Sequence, residues 1–235
     1  MRDAARQTVA LVLGLALCLP QAAARADMPQ RWHERLAESS THLKRGEFEK
    51  ALKIASSVTG QMVEYLGPGN EPAKALGIAL TQKALALAGL GRQDDAIWTW
   101  HTVLNIYPSF ARSDLSAFGE PGVFLKSHLL DDDLPDLSES LIPLSIEPRV
   151  IKEVQPKYPW GAQGFNGSGY LILEAVITKD GTVTSPRVVT EMPHPTLIYA
   201  ALDALHLWRY EPGVRRGKPV DVPLKVTVHF ELKSE

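Results

Sequence analysis

Toward the C-terminus hydrophobic and polar positions alternate with a period of two. Val222, Leu224, Val226, Val228, Phe230 and Leu232 fall on one face; Lys225, Thr227, His229, Glu231 and Lys233 fall on the other. This predicts a strand with one covered and one solvated face. Tyr170 to Thr178 is largely apolar on both faces, so a second strand is expected there with cover on at least one side. Lys179-Asp180-Gly181 supplies a tight reversal, because glycine accepts positive φ. Val183 to Val189 then returns antiparallel, with Pro186 confining that strand to an edge or a bulge. Leu197, Ala200, Ala201, Ala204, Leu205 and Trp208 recur at helical spacing behind Thr196, the expected N-cap. Leu207 to Tyr210 runs off this helix into a strand stopped by Pro212-Gly213. The order is β-β-α-β with the helix on one face.

The preceding pattern is helical from Arg31 to about Tyr107. Ala51, Leu52, Ala55 and Val58 follow the turn Lys44-Arg45-Gly46-Glu47. Ala96, Ile97, Trp100, Val103 and Leu104 follow Gly91-Arg92-Gln93-Asp94-Asp95, and Pro108 stops the second unit. The two units are similar to tetratricopeptide helix pairs, with Ala84 or Ala88, Gly91, Ala96, Trp100 and Pro108 at the characteristic positions. The spacing from Ala51 to Ala96 exceeds the repeat period of about 34 residues. The excess falls near Gly60 to Pro72, where Leu66-Gly67-Pro68-Gly69-Asn70 spells a loop. Two readings stay open: a groove that binds an extended segment, or plain antiparallel helix packing. The fold class is α+β, divided into residues 27–110 (helical), 111–147 (connector) and 148–235 (β-rich). In the connector Leu125, Leu129, Leu130, Leu134 and Leu137 can form a turn or two that docks on the helices. Asp131-Asp132-Asp133 lacks the spacing of a calcium loop and reads as a solvated acidic segment.

Composition places few further limits. The chain has 235 residues, 45% hydrophobic and 22% charged, with net charge −2, so no basic surplus points to nucleic acid. Residues 1–26 have the layout of a secretory signal peptide: Arg2 and Arg6, an apolar run from Val9 to Leu19, then Ala24-Arg25-Ala26. Cleavage there would release a periplasmic chain and remove Cys18, the only cysteine; an uncleaved N-terminus would tether it to the inner membrane instead. The mature chain then has no disulfide, thiol nucleophile or cysteine-based metal site. The seven histidines (His33, His42, His101, His128, His194, His206, His229) form no metal-spaced pair. No nucleophile elbow or phosphate loop occurs. Gly164, Gly167 and Gly169 precede a strand rather than a helix, so they offer phosphate no helix N-terminus. No enzyme, cofactor or metal is expected.

Gln155-Pro156-Lys157-Tyr158-Pro159, the Asp180-Gly181 turn, Trp208-Arg209-Tyr210-Glu211-Pro212, Gly217-Lys218-Pro219-Val220 and the last strand occur in an order that resembles the C-terminal domain of the TonB family. The resemblance covers roughly residues 146 to 235, and the three glycines match the family's turn before its first strand. It implies that the domain binds a short segment of an outer-membrane receptor, added as a strand, in energy-coupled uptake. The edge implied is Val226, Thr227, Val228, His229 and Phe230, flanked by Gln155 and Tyr158. Tyr158 and Trp208 also read as packing that fixes the lead to the sheet, and Arg209 as a partner of Glu211 or of a receptor carboxylate. Helical units stand where a transducer has its proline-rich reach, and the N-terminal run lacks the family's anchor histidine. Two alternatives accompany this reading: an envelope adaptor using both halves without energy transduction, and a homodimer exchanging the last strand.

Overall fold

The computed structural model describes residues 28–66, 73–130, 143–159, 162, 169–190 and 194–230. The expected signal peptide, the Gly67-to-Asn70 loop, Asp131 to Asp133, Leu134, Leu137, Gly164, Gly167 and the end of the last strand after Phe230 lie outside the described residues.

Four helices come first: α1 (Met28–Lys44), α2 (Phe48–Tyr65), α3 (Ala73–Gly89) and α4 (Gln93–Ile106). The α1–α2 and α3–α4 turns are built alike. In each, a glycine in the left-handed region (Gly46, φ 72°; Gly91, φ 73°) follows the helix. The next amide reaches back to satisfy an orphan carbonyl, Glu47 N to His42 O at 2.9 Å and Arg92 N to Leu87 O at 2.9 Å. This is the Schellman closure, and it returns each chain antiparallel. Helix α4 ends before Pro108, which opens a 3₁₀ turn. A short α5 (Glu120–Lys126) then lays fully buried Leu125 against the helical layer. Among the described residues no helix is long and apolar enough to cross a membrane.

The β-rich part comprises β1 (Arg149–Lys152), β2 (Gly169–Ile177), β3 (Val183–Val188), α6 (Pro195–His206), β4 (Arg209–Glu211), β5 (Gly213–Arg215), β6 (Lys218–Val220) and β7 (Val222–Phe230). The main sheet is antiparallel in the order β3-β2-β7. Leu171, Leu173, Ile177, Val228 and Phe230 meet Leu197, Ala201, Leu202 and Leu205 of α6 in its core. At the reversal Gly181 has φ 78°, and a Cβ there would lie 2.0 Å from the Tyr210 carbonyl oxygen. Gly181→Ala therefore combines a left-handed backbone, about 1–3 kcal/mol, with a backbone clash. We expect a lowered midpoint of chemical denaturation with an unchanged slope.

Helix α4 serves both cores. Trp100 is fully buried in the helical layer, whereas Trp98, on the other side, belongs to the core of the sheet, its ring 4.6 Å from that of His206. Eight of its residues, Ala96 and Trp98 to Leu104, are buried, which marks a helix enclosed on two sides.

Three expectations need correction. The N-cap of α6 is His194, not Thr196: Pro195, with φ preset for the first helical turn, starts the helix two residues earlier. The buried Thr196 hydroxyl instead meets His194 Nδ1 at 2.6 Å. The strand after α6 is Arg209–Glu211, and it pairs with β1, outside the main sheet. Glu211 accepts a bidentate pair from Arg149 (2.6 and 3.0 Å), while Arg209 donates to the carbonyls of His206 and Trp208. The antiparallel neighbour across the ribbon is better placed for a fork-to-carboxylate contact than the residue two along the same strand.

Candidate strand-accepting edge

Each edge of the main sheet has a different fate. At β3 the register slips opposite Glu174 and Val176, where Ser185 takes φ 50° and Pro186 offers no amide. Asn105, in the last turn of α4, closes this edge. Its Nδ2 donates to Pro186 O at 2.8 Å, and its Oδ1 accepts from Val188 N at 2.7 Å. One carboxamide thus makes the two bonds that a residue of an added strand would make. Nothing in the helical periodicity marked Asn105 for this; the readable half of the signal was Pro186.

At β7 no strand lies beyond the edge among the described residues. The orientation of its main chain follows from its neighbour. Ile172, the partner of Thr227, spends its amide on Thr190 Oγ1 (2.9 Å) and its carbonyl on Val189 N (2.9 Å), both on the β3 side. Ile172 and Thr227 are therefore a non-hydrogen-bonded pair, and the N–H and C=O of Thr227 point away from β2. By strand alternation so do those of Lys225 and His229. Pro223 falls in the same series, where a missing amide costs the ladder nothing.

The expected binding residues consequently divide. Thr227 and His229 present outward main-chain groups, whereas Val226, Val228 and Phe230 turn theirs to β2 and supply side chains. Val228 and Phe230 are buried, but Leu224 and Val226 on the same face are only half-covered, and a further strand would cover them. The opposite face carries the cross-strand ion pair Lys225–Glu174 at 3.4 Å and the ring pair Tyr170–His229 at 6.5 Å.

The lead is fixed by its aromatic residues. The Trp208 indole donates to Val154 O at 2.9 Å. Tyr158 meets Phe230 edge-on at 6.0 Å and donates its hydroxyl to Ala162 O at 3.1 Å. Tyr158 thus stands at the end of β7. Gln155 is exposed, and its amide donates to Glu153 at 2.8 Å rather than to the sheet. Trp208→Phe, which keeps the ring packing and deletes the N–H, is expected to cost about 1 kcal/mol. The loss should appear as faster hydrogen exchange across residues 153–158.

The two parts of the chain also meet through a polar contact. Asp95 at the start of α4 holds Arg92 at 2.7 Å and His206 of α6 at 3.1 Å. Burial pushes the Asp95 carboxyl up, but the hydrogen bonds from Arg92 and His206 outweigh it and leave the group below its ordinary value. No group of three or more potential metal-ligating acids, histidines or cysteines occurs among the described residues.

Comparison with known proteins adds sequence relationship to this geometry. Residues 154–232 match the family model described as the Gram-negative bacterial TonB protein C-terminal. Protein TonB of Escherichia coli (strain K12) is 29% identical over 87 residues, which are 37% of this chain and 36% of that protein; the match spans about a third of the relative's length. The solution NMR structure of the Pseudomonas aeruginosa TonB C-terminal domain aligns at 25% identity and a TM-score of 0.33, covering 38% of this chain and 90% of that one. Residues 154–232 of this chain are a TonB C-terminal domain, preceded by a layer of helices.

Proposed function

We propose that this chain is a TonB-like protein of the cell envelope, exposed to the periplasm and serving energy-coupled uptake. Its C-terminal domain takes up a short extended segment of an outer-membrane receptor as a fourth strand at β7. The observation that carries this reading is the outward main chain of Lys225, Thr227 and His229, on a sheet whose other edge is closed by Asn105. Main-chain bonds give such an addition its affinity, and alternating side-chain contacts give it selectivity. The half-covered Leu224 and Val226 favour apolar residues in the segment, and Lys225 favours an acid on the opposite face.

Titration of the isotope-labelled full chain with synthetic peptides copying the periplasmic N-terminal segments of outer-membrane receptors tests the reading. The amides of Lys225, Thr227 and His229 should shift most and gain protection from exchange. Shifts confined to the helical layer would overturn it.

An envelope adaptor is the second reading, favoured by the packing of α4 into both cores. In it the helical layer and the TonB-type domain act as one rigid unit that recruits separate proteins without transmitting force. Binding of a partner that survives complete blockade of β7 is the result that would favour it.

A further inference from the structure

A second concavity, of about 460 Å³, opens between the helical layer and the TonB-type domain. Strand addition at β7 does not use it. Leu80 and Leu87 of α3, Trp98 of α4 and Tyr199 of α6 contribute apolar wall, and Lys83 stands among them. Lys83 is half-buried, yet among the described residues its ammonium makes no hydrogen bond and no ion pair within 4.0 Å. The acids nearby are engaged elsewhere: Asp95 with Arg92 and His206, and Asp203 with the Tyr199 hydroxyl at 3.4 Å. Burial lowers the Lys83 ammonium below its ordinary value, and Asp203 and Asp95 offset this only in part. A second cation, Arg209, lines the cleft and spends its guanidinium on the neutral carbonyls of His206 and Trp208.

A cation withdrawn from water without a contacting counter-ion is costly, and an anion brought by a ligand removes that cost. The surrounding walls call for an apolar group on the same ligand. The cleft also continues past Leu52, Ser56 and Arg92 into a shallower trough of about 500 Å³ bordered by Lys53 and Leu90. An elongated channel with leucine and aromatic side chains among polar ones, and a cation at its deeper end, suits an extended chain better than a compact metabolite.

We propose that this cleft is a second peptide-binding site, which takes a short apolar segment of a partner protein and seats a carboxylate of that segment on Lys83. Because α3, α4 and α6 all line it, the bound segment contacts both parts of the chain. Partner recruitment here and strand addition at β7 are then separate activities of one molecule.

The test uses the labelled full chain on arrayed pentapeptides with Leu, Val or Phe at alternating positions, each in an Asp and an Asn version and with a free or amidated C-terminus. Hits are followed by anisotropy titration. Peptides bearing a carboxylate should bind at least about tenfold more tightly than their neutral counterparts, and the position of the effective carboxylate separates an acidic side chain from a chain terminus. Lys83→Met should weaken binding about tenfold and erase the preference. Asp203→Asn, which removes the opposing acid, should strengthen it severalfold. All of these effects should persist in a Thr227→Pro background, in which β7 no longer takes up the peptide. Equal binding of neutral peptides, no peptide binding below about 1 mM, or indifference to both Lys83→Met and Asp203→Asn overturns the proposal. So does displacement by octanoate at the peptide's own affinity, which would make this a site for compact amphiphilic anions.

Discussion

Thr227→Pro is expected to leave the protein folded and to weaken capture of a receptor segment by about 10- to 100-fold. The direction of one amide decides this. Ile172 gives both main-chain groups to the β3 side, so its partner Thr227 directs its own to the open edge. Proline removes that donor and sets a ring where the added strand must lie. Deleting one partner of an interfacial hydrogen bond costs about 1–3 kcal/mol, and each 1.4 kcal/mol is a factor of ten in affinity. The bonds between β7 and β2 are untouched, and Pro223 already occupies an equivalent position four residues earlier. Val228→Pro is the counter-case. Its amide belongs to the β2 ladder and its side chain is buried, so that variant should lose stability by about 3 kcal/mol or more. Isothermal titration with a receptor peptide, alongside thermal melts, separates the two effects. Undiminished binding by a folded Thr227→Pro variant would remove β7 as the acceptor.

The residues behind this prediction were visible in the sequence to different degrees. The last strand and the Asp180-Gly181 turn were legible because burial imposes a strict period of two on one face of a sheet and a tight reversal needs positive φ. The apolar face of α6 was legible for the same kind of reason. Of the ribbon, the strand after α6 was read but its partner β1 was not: Arg149 to Lys152 are all exposed, so no contrast between faces marked them as a strand. The double role of α4 was half-visible. Trp98 and Trp100 lie two residues apart, about 200° around a helix, and signal that both sides are covered without saying by what. The division of β7 into outward and inward main-chain groups could not be read at all, since side-chain alternation is the same whichever edge is open. Only the pairing partner decides it.

Asn105 is a residue that the helical pattern hid and that ties α4 to the edge of the sheet. Asn105→Ala is expected to cost about 2–4 kcal/mol, because it strips Pro186 O and Val188 N of their partners at once; a half-buried main-chain group left unpaired costs about 1–3 kcal/mol. Asn105→Asp should be comparably damaging despite equal size. Its carboxylate can still accept from Val188 N, but it faces the Pro186 carbonyl with a second acceptor and sets two oxygens against each other. Hydrogen exchange is the decisive measurement, because the Val188 amide should lose protection in both variants while amides in the β2–β7 ladder keep theirs. The exposed β3 edge would then be open to a strand from a second molecule. Sedimentation of Asn105→Ala should show association that grows with concentration, and the double variant with Thr227→Pro should retain it. If association disappeared with Thr227→Pro, the contact would run through β7, and the helical layer would not be what keeps the sheet open on one side alone.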